Sequence, residues 1–92
     1  MALNSYLIGY DLNRPGQNYS GLHEKIKEIS NGYWHNLDSA WIIKHTGPST
    51  SIRDALLPYI DKNDELLVVL LNREAAWNGF SKTASDWLIN YL

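Results

Sequence analysis

A chain of 92 residues with a formal net charge of −2 is long enough for one domain, so we expect a single domain over residues 1–92. A hydrophobic share of 45%, with four Trp and six Tyr, excludes a disordered chain, and the absence of cysteine excludes disulfides, thiol catalysis and cysteine zinc sites. The eight Lys and Arg residues are scattered, which argues against tight binding to a nucleic-acid backbone. The apolar runs are far shorter than the roughly 20 residues that span a bilayer, so we expect a soluble cytoplasmic protein without a membrane partner.

The first third of the chain predicts a strand, a turn and a helix. Tyr6 to Leu12 is short, aromatic and aliphatic, and Gly9 within it indicates a bulge or a close backbone approach. Asn13 to Asn18 forms a turn around Pro-Gly, and Asn18 or Ser20 then caps a helix that Asn31-Gly32 ends. The apolar residues of that helix recur at helical spacing: Tyr19, Leu22, Ile26 and Ile29.

The middle of the chain predicts two strands and a second helix. Tyr33 to Leu37 and Ser39 to His45 form two short strands or one long bent strand. In the loop GPSTS that follows, Ser51 precedes Asp54 by three residues, as in a capping box. Pro58 kinks or shortens the last turn of the second helix because it lacks a backbone donor. The apolar face of this helix carries Ile52, Ala55, Leu56, Tyr59 and Ile60.

The last third predicts a strand and a helical tail. Glu65 to Asn72, ELLVVLLN, is the clearest strand of the chain. Arg73 to Phe80 is ambiguous, and a single helical turn closed by Gly79 is one interpretation. Ser81 to Leu92 predicts a short terminal helix, whose apolar stripe is Ala84, Trp87, Leu88 and Tyr91.

The order of these elements, β-α-β-β-α-β, predicts an α+β fold: a ferredoxin-like split βαβ sandwich with two helices on one face of the sheet and a short C-terminal helical tail. A sheet that is covered on one face only should alternate apolar and polar residues, yet residues 66–71 are apolar at every position. Left bare, the second face would forgo on the order of ten kcal/mol of burial at about 25 cal/mol per Å². We therefore expect the terminal helix to cover part of it, and a symmetric homodimer through the open sheet face.

Asp11 is the leading candidate for chemistry because it ends the first strand, where a sheet presents side chains to a cleft. In a two-fold dimer, two copies of Asp11 would approach each other and bind a hard cation such as Mg²⁺, which activates water or steadies a phosphate. The alternative is structural: Asp11 caps the turn by accepting from the backbone of Asn13 or Arg14.

The other reactive side chains favour structural roles. No two of His23, His35 and His45 have the i, i+4 spacing of a helical metal site, so we interpret them as structural or surface residues. Ser39 lacks the flanking glycines of a nucleophile elbow, which argues against a hydrolytic triad with His45 and Asp11. The four tryptophans have no basic neighbours, which favours core or dimer contacts over the stacking of nucleic-acid bases.

The chain resembles a known family in several segments. A hydrophobic strand ending in Tyr10-Asp11-Leu12, then a helix, Gly32 and YWHNLDSAWIIK, resembles the CRISPR-associated protein Cas-two, with Ser39 at the position of that family's serine. The resemblance continues through IRDALLPYIDKNDELLVVLL and covers about residues 5 to 72. Virulence-associated protein D, a toxin-like ribonuclease, has a similar plan, and small uncharacterised bacterial proteins labelled "SinR family" look closer still.

The resemblance implies a ferredoxin-like homodimer in which Asp11 is the metal-binding nuclease residue and Tyr10, Asn13, Arg14 and Ser39 contact a phosphate or sugar. The chain departs from the family in NRPGQNYSG, where the family has charged residues, and in its helical tail. We favour a non-catalytic or weakly active homodimer that binds a protein partner, as an adaptor or an inhibitor. The alternative is a Mg²⁺-dependent endonuclease or endoribonuclease.

Overall fold

The computed structural model describes residues 3–13 and 19–92. The elements, in chain order, are β1 (Asn4–Asp11), α1 (Ser20–Ile29), β2 (Tyr33–Leu37), β3 (Ala40–His45), α2 (Ser49–Leu56) with a 3-10 turn over Leu57–Tyr59, β4 (Glu65–Leu70) and α3 (Lys82–Tyr91). The strands form one sheet in the order β2-β3-β1-β4, and all neighbours are antiparallel. The described residues therefore form an α+β fold with a four-stranded antiparallel sheet and three α-helices. None of these helices has the length and apolar character needed to cross a bilayer.

The predicted starts of the two internal helices differ from those in the structure. Helix α2 begins at Ser49, directly after Pro48, so Ser51 lies inside its first turn and its hydroxyl donates to the carbonyl of Pro48 at 2.7 Å. The predicted capping box of Ser51 and Asp54 is therefore wrong. Helix α1 starts at Ser20, and the residue at its N-cap position is Tyr19, which makes no side-chain cap. The predicted cap by Ser20 is therefore also wrong. The alternative cap, Asn18, lies outside the described residues. Pro58 ends α2 early in a 3-10 turn, as its missing donor predicts.

Residues 73–80 do not form the helical turn considered for them. Arg73 has a φ of 71°, which breaks the strand direction after β4, and the segment then runs without regular structure to α3. A hydrogen bond and an aromatic contact hold it: the indole of Trp77 donates to the hydroxyl of Ser85 at 3.1 Å, and the ring of Phe80 packs edge-on against Trp34. We call residues 73–80 the strap, because they connect the end of β4 to the N-terminus of α3.

The first face of the sheet packs against α1 and α2. Alternate residues of β1 point to this face, where Tyr6, Ile8 and Tyr10 are all buried. Strand β3 adds Trp41 and Ile43. The helices complete this core with Leu22, Ile26, Ile52 and Leu56.

The second face carries the other residues of the same strands and packs against α3. Trp34 and Ile42 are buried there beneath Ala84 and Leu88. Polar contacts fix both ends of the helix: the indole of Trp34 donates to the carbonyl of Ala84 at 3.1 Å, and Lys44 donates to the carbonyl of Tyr91 at 2.6 Å. This confirms the expectation that the terminal helix covers part of this face.

Helix α3 covers only one half of the second face. Towards the C-terminal end of β1, Gly9 pairs with Leu67 of β4, and Leu37 of β2 lies on the same side opposite Ala40. Leu67 is 58% exposed and Leu37 is 48% exposed. We call this region the open half and define it by Gly9, Leu37, Leu67 and Val69, with the paired carboxylates of Asp11 and Glu65 at its end.

Gly47 provides a test of the packing between the β3–α2 loop and β1. Its φ of +78° disfavours any other residue, and a Cβ atom there would collide with the hydroxyl of Tyr6. We expect Gly47→Ala to lower the free energy of unfolding by about 1–3 kcal/mol in urea titrations followed by circular dichroism. Gly9→Ala is the matched control: no atom lies within 4 Å of its added Cβ, so its effect should stay within about 0.5 kcal/mol. Equal effects of the two substitutions would contradict this packing.

Candidate functional site: a polar cavity at the end of β1

A polar cavity of about 480 Å³ lies where β1 ends. Three segments border this open cavity: the end of β1, the first turn of α1, and the tight turn between β2 and β3. The backbone N–H of Tyr10 donates to the carbonyl of Ser39 at 3.0 Å and so fixes the β2–β3 turn against β1. The lining residues are Tyr10, Asp11, Leu12, Tyr19, Ser20, His23, Asp38 and Ser39.

A hydrogen-bonded chain of three side chains forms one wall of this cavity. The indole N–H of Trp41 donates to the hydroxyl of Tyr10 at 3.0 Å, and that hydroxyl lies 3.2 Å from Nε2 of His23. Indole can only donate, so it uses a lone pair of the Tyr10 oxygen and leaves the phenolic proton for His23. All three groups are satisfied when His23 is neutral and carries its proton on Nδ1.

Partial burial and neighbouring charge favour the same protonation states. Partial burial of its ring lowers the pKa of His23, and the positive charge that His35 and Lys27 can carry adds to this effect, while Glu24 opposes it. Burial of the phenol raises the pKa of Tyr10; the hydrogen bond from Trp41 opposes this shift, and the negative charge of Asp38 adds to it. His23 therefore favours the neutral imidazole and Tyr10 the protonated phenol.

The sequence analysis missed an aromatic cluster behind this wall. The ring of His35 stacks on Trp41 with centroids 3.7 Å apart and planes 12° from parallel. His23 lies 5.8 Å from His35 and 5.7 Å from Trp41, measured between ring centroids. Only the antiparallel pairing of β2 with β3, and the packing of α1 across them, bring these residues together. The histidine spacing in the sequence carried no signal of this kind.

Asp11 lies between this cavity and the open half. It is the exposed last residue of β1, it lines the polar cavity, and it also lines a shallow groove with Gly9, Glu65 and Leu67. Of the two predicted caps by Asp11, the one to the backbone of Asn13 is wrong, because the N–H of Asn13 donates to the carboxylate of Asp64 at 2.8 Å. The alternative cap to Arg14 lies outside the described residues.

Asp64 accepts several of the hydrogen bonds that hold this region together. Its carboxylate also accepts from the N–H of Asp61 at 2.7 Å and from the hydroxyl of Tyr19 at 3.0 Å. One carboxylate thus joins the β1 exit, the start of α1 and the turn before β4. Nothing in the sequence around Asp64 indicates these long-range partners.

The predicted substrate-binding residues divide into three groups. Tyr10 and Ser39 line the polar cavity together with Asp11. Asn13 does not: its side-chain amide donates to the carbonyl of Asn63 at 2.8 Å, and it lines a separate cavity with residues 60–63. Arg14 lies outside the described residues.

The donor set around Asp11 does not form a metal site within one chain. Among residues 3–13 and 19–92, no three His, Asp or Glu side chains are grouped so that they could hold a metal ion. Asp11 of β1 and Glu65 of β4 are paired across the two strands and supply two carboxylates. A hard cation takes six or more oxygen ligands, so it would need further donors from a second chain or from water.

A second, apolar cavity of about 380 Å³ lies between the second face, the strap and α3. Leu7 and Leu37 of the sheet form its floor, Trp77 and Phe80 come from the strap, and Leu88 comes from α3. Because Leu37 also belongs to the open half, this cavity and the open half form one continuous apolar region.

Comparison with known proteins does not assign a function to this chain, so its function has to be inferred from the geometry of the structure. No protein-family model, no curated protein and no solved structure matches the chain.

The lowered pKa of His23 predicts a pH dependence of stability. A histidine whose folded pKa lies below its unfolded value of about 6.5 contributes stability that is fully present above the unfolded pKa and is lost as the pH falls through the folded pKa. We expect the urea midpoint to fall between pH 7.5 and pH 5, and to fall less in His23→Gln. An equal fall in the wild type and in this variant would contradict the assignment.

Proposed function

We propose that the chain is a ferredoxin-like homodimer that acts as an interaction module, and that a second copy covers the open half. The strand order β2-β3-β1-β4, with α1 and α2 on one face, supports the ferredoxin-like plan. The resemblance to the CRISPR-associated protein Cas-two and to virulence-associated protein D supports the same plan and a shared ancestry.

The observation that carries this proposal is the exposure of the open half. Leu67 and Leu37 lie in one row across the exposed part of the sheet, with Gly9 and Ala40 between them. Strand β4 is also an edge strand, because among the described residues it pairs with β1 alone. An apolar edge strand that lacks Pro, Lys and any bulge is a site for association with another chain.

The shape of the second face favours a second copy as the occupant. Helix α3 forms a ridge over one half, and the other half is a recess. A two-fold axis that runs between the two copies, parallel to their sheets and along the boundary between the halves, places the ridge of each copy in the recess of the other. The ridge exposes an apolar residue for this contact, since Ile89 of α3 is 69% exposed.

Leu67→Asp tests self-association. We expect the wild-type chain to have twice the monomer mass in light scattering, and Leu67→Asp to weaken association at least about tenfold, because an unpaired carboxylate would be buried. Leu57→Asp is the matched control: Leu57 is 48% exposed but follows α2 on the opposite side of the sheet, so it should leave the mass unchanged. A wild-type monomer at all concentrations would overturn the proposal.

A second candidate function is Mg²⁺-dependent cleavage of RNA or DNA at Asp11. The observation that favours it is the cavity that Asp11 shares with Tyr10 and Ser39, two of the residues expected to contact a phosphate or sugar. It requires a dimer in which two copies of Asp11 lie close together. Ridge-in-recess packing instead puts them at opposite ends of the interface, which is why we favour the non-catalytic module.

Asp11→Asn tests the second candidate. If Asp11 holds a catalytic Mg²⁺, this change should lower the cleavage rate by about two orders of magnitude or more, and EDTA should abolish cleavage. Asp54→Asn, an equal change of charge on the exposed side of α2, should leave the rate unchanged. Cleavage that persists in Asp11→Asn, or the absence of any cleavage by the wild type, excludes this candidate.

A further inference from the structure

We propose that the outer edge of β4 pairs with β4 of a second copy of the chain, antiparallel and across a two-fold axis at Val68. This contact uses backbone groups at the edge of the sheet, whereas the proposed dimer uses side chains on its second face. The edge pairing therefore goes beyond the proposed function and does not rest on it.

Alternate residues of β4 turn their backbone groups away from the rest of the sheet. The N–H of Leu71, directly after the strand, donates to the carbonyl of Ser5 at 2.9 Å, so the odd-numbered residues of this segment bond towards β1. The pairing with β1 is regular along the whole strand, which preserves this alternation. The residues whose N–H and C=O groups point to the outer edge are therefore the even-numbered ones, Leu66, Val68 and Leu70.

No other described part of the chain covers this edge. In residues 3–13 and 19–92, β1 is the only strand that bonds to β4. Asn13 and Tyr19, on either side of residues 14–18, both bond to the carboxylate of Asp64, which precedes β4. A row of backbone donors and acceptors at this spacing selects an extended chain as its partner, because only another strand matches it.

The sequence of β4 favours a second copy as that extended chain. From Leu66 to Leu70 every residue is aliphatic, and the order of Leu and Val is nearly symmetric around Val68. In the two-fold register, Leu66 of one copy lies opposite Leu70 of the other. Leu67 then lies opposite Val69, on the second face, so each side chain meets another apolar one. Three of these side chains are exposed in the single chain: Leu67, Val69 and Leu70.

A groove beside the edge accommodates the side chain that this register brings to it. The groove has a volume of about 210 Å³ and lies between the N-terminal half of α2 and β4. Its lining residues are Ser49, Thr50, Arg53, Leu66, Leu67 and Val68. Leu70 of the second copy, which is 56% exposed in the single chain, arrives opposite Leu66 and on the same face. The pairing therefore buries an exposed leucine beside aliphatic side chains.

Charge and edge chemistry are compatible with antiparallel pairing. Glu65 starts β4 and Arg73 follows the strand, so the acidic start of each copy lies near the basic end of the other. Strand β4 contains no Lys, Pro or bulge, the features by which edge strands avoid such contacts. One pair of six-residue strands is small beside the roughly 1,000 Å² that a specific interface needs, so we expect this association at millimolar concentration.

Amide hydrogen exchange of the full chain, followed by NMR, tests the pairing. From micromolar to millimolar concentration, we expect exchange at Leu66, Val68 and Leu70 to slow at least about fivefold, because these N–H groups become bonded between chains. Leu67 and Val69 already bond to β1, so their exchange should be slow at both concentrations. This alternation separates edge pairing from cover of the second face, which adds no backbone hydrogen bond.

Two substitutions at one exposed position test the edge. Leu70→Pro removes an outward N–H but no hydrogen bond within the chain, so protection at Leu66 and Val68 should be lost while the circular dichroism spectrum is unchanged. Leu70→Lys keeps that N–H, places a charge at the groove and should weaken association at least about fivefold. Ile89→Lys is the matched control, since Ile89 is 69% exposed on α3 and away from this edge. It should leave the alternating protection unchanged.

The register has its own test in a mixture of labelled and unlabelled chains. Leu67 and Val69 of different copies form a pair without hydrogen bonds, in which the Cα atoms lie about 4.5 Å apart. We therefore expect an intermolecular signal between their Hα atoms. A millimolar sample without this signal would overturn the two-fold register at Val68.

The remaining outcomes separate this proposal from its alternatives. Absence of alternating protection in a chain of twice the monomer mass would overturn the edge pairing and leave the proposed dimer standing. Loss of the protection in Ile89→Lys would also overturn it, because the protection would then come from contact on the second face. The peptide acetyl-Lys-Thr-Val-Thr-Val-Thr-Lys-amide is a foreign strand. Alternating protection that appears only with this peptide would overturn the second copy as the occupant.

Discussion

Apolar side chains on both faces of the same strands are the constraint on which this structure depends. A four-stranded sheet of this kind needs two covers, because each uncovered apolar face loses the free energy of burial. Helices α1 and α2 together cover the first face, and α3 alone covers half of the second. Trp34 and Lys44 hold α3 at its two ends and so determine which half remains open. The functional proposals follow from that incomplete second cover.

The end of β1 is where the two candidate sites meet, and the alternation of a strand explains why. Tyr10 points to the first face, where it closes the core and forms a wall of the polar cavity. Asp11, the next residue, lies at the end of the open half and also lines the same cavity. Asp11 therefore lies on the border that the two candidate sites share.

Local pattern predicted the elements well but not the contacts between them. The apolar run of β4 and the stripe of α3 were evident because period and composition lie within a single segment. The cluster of His23, His35 and Trp41 was not, since it forms only when α1 packs across β2 and β3. The N–H of Asn13, one of the two groups that Asp11 was predicted to cap, donates instead to Asp64, about 50 residues away, and nothing in the local sequence indicates this partner. Residues 66–71 are apolar at every position, and this predicted a second face that α3 covers only in part. The position of the open half could not be predicted, because it depends on where α3 lies.

The central claim is that a second copy of the chain covers the half of the sheet that α3 leaves open. Isotope-filtered NMR on a mixture of labelled and unlabelled chains tests it most directly, because it detects only contacts between molecules. The account predicts intermolecular signals from the methyl groups of Leu67 and Leu37 to the side chain of Ile89, and none from Leu57. Intermolecular signals confined to the helical side of the sheet, or none at millimolar concentration, would contradict it.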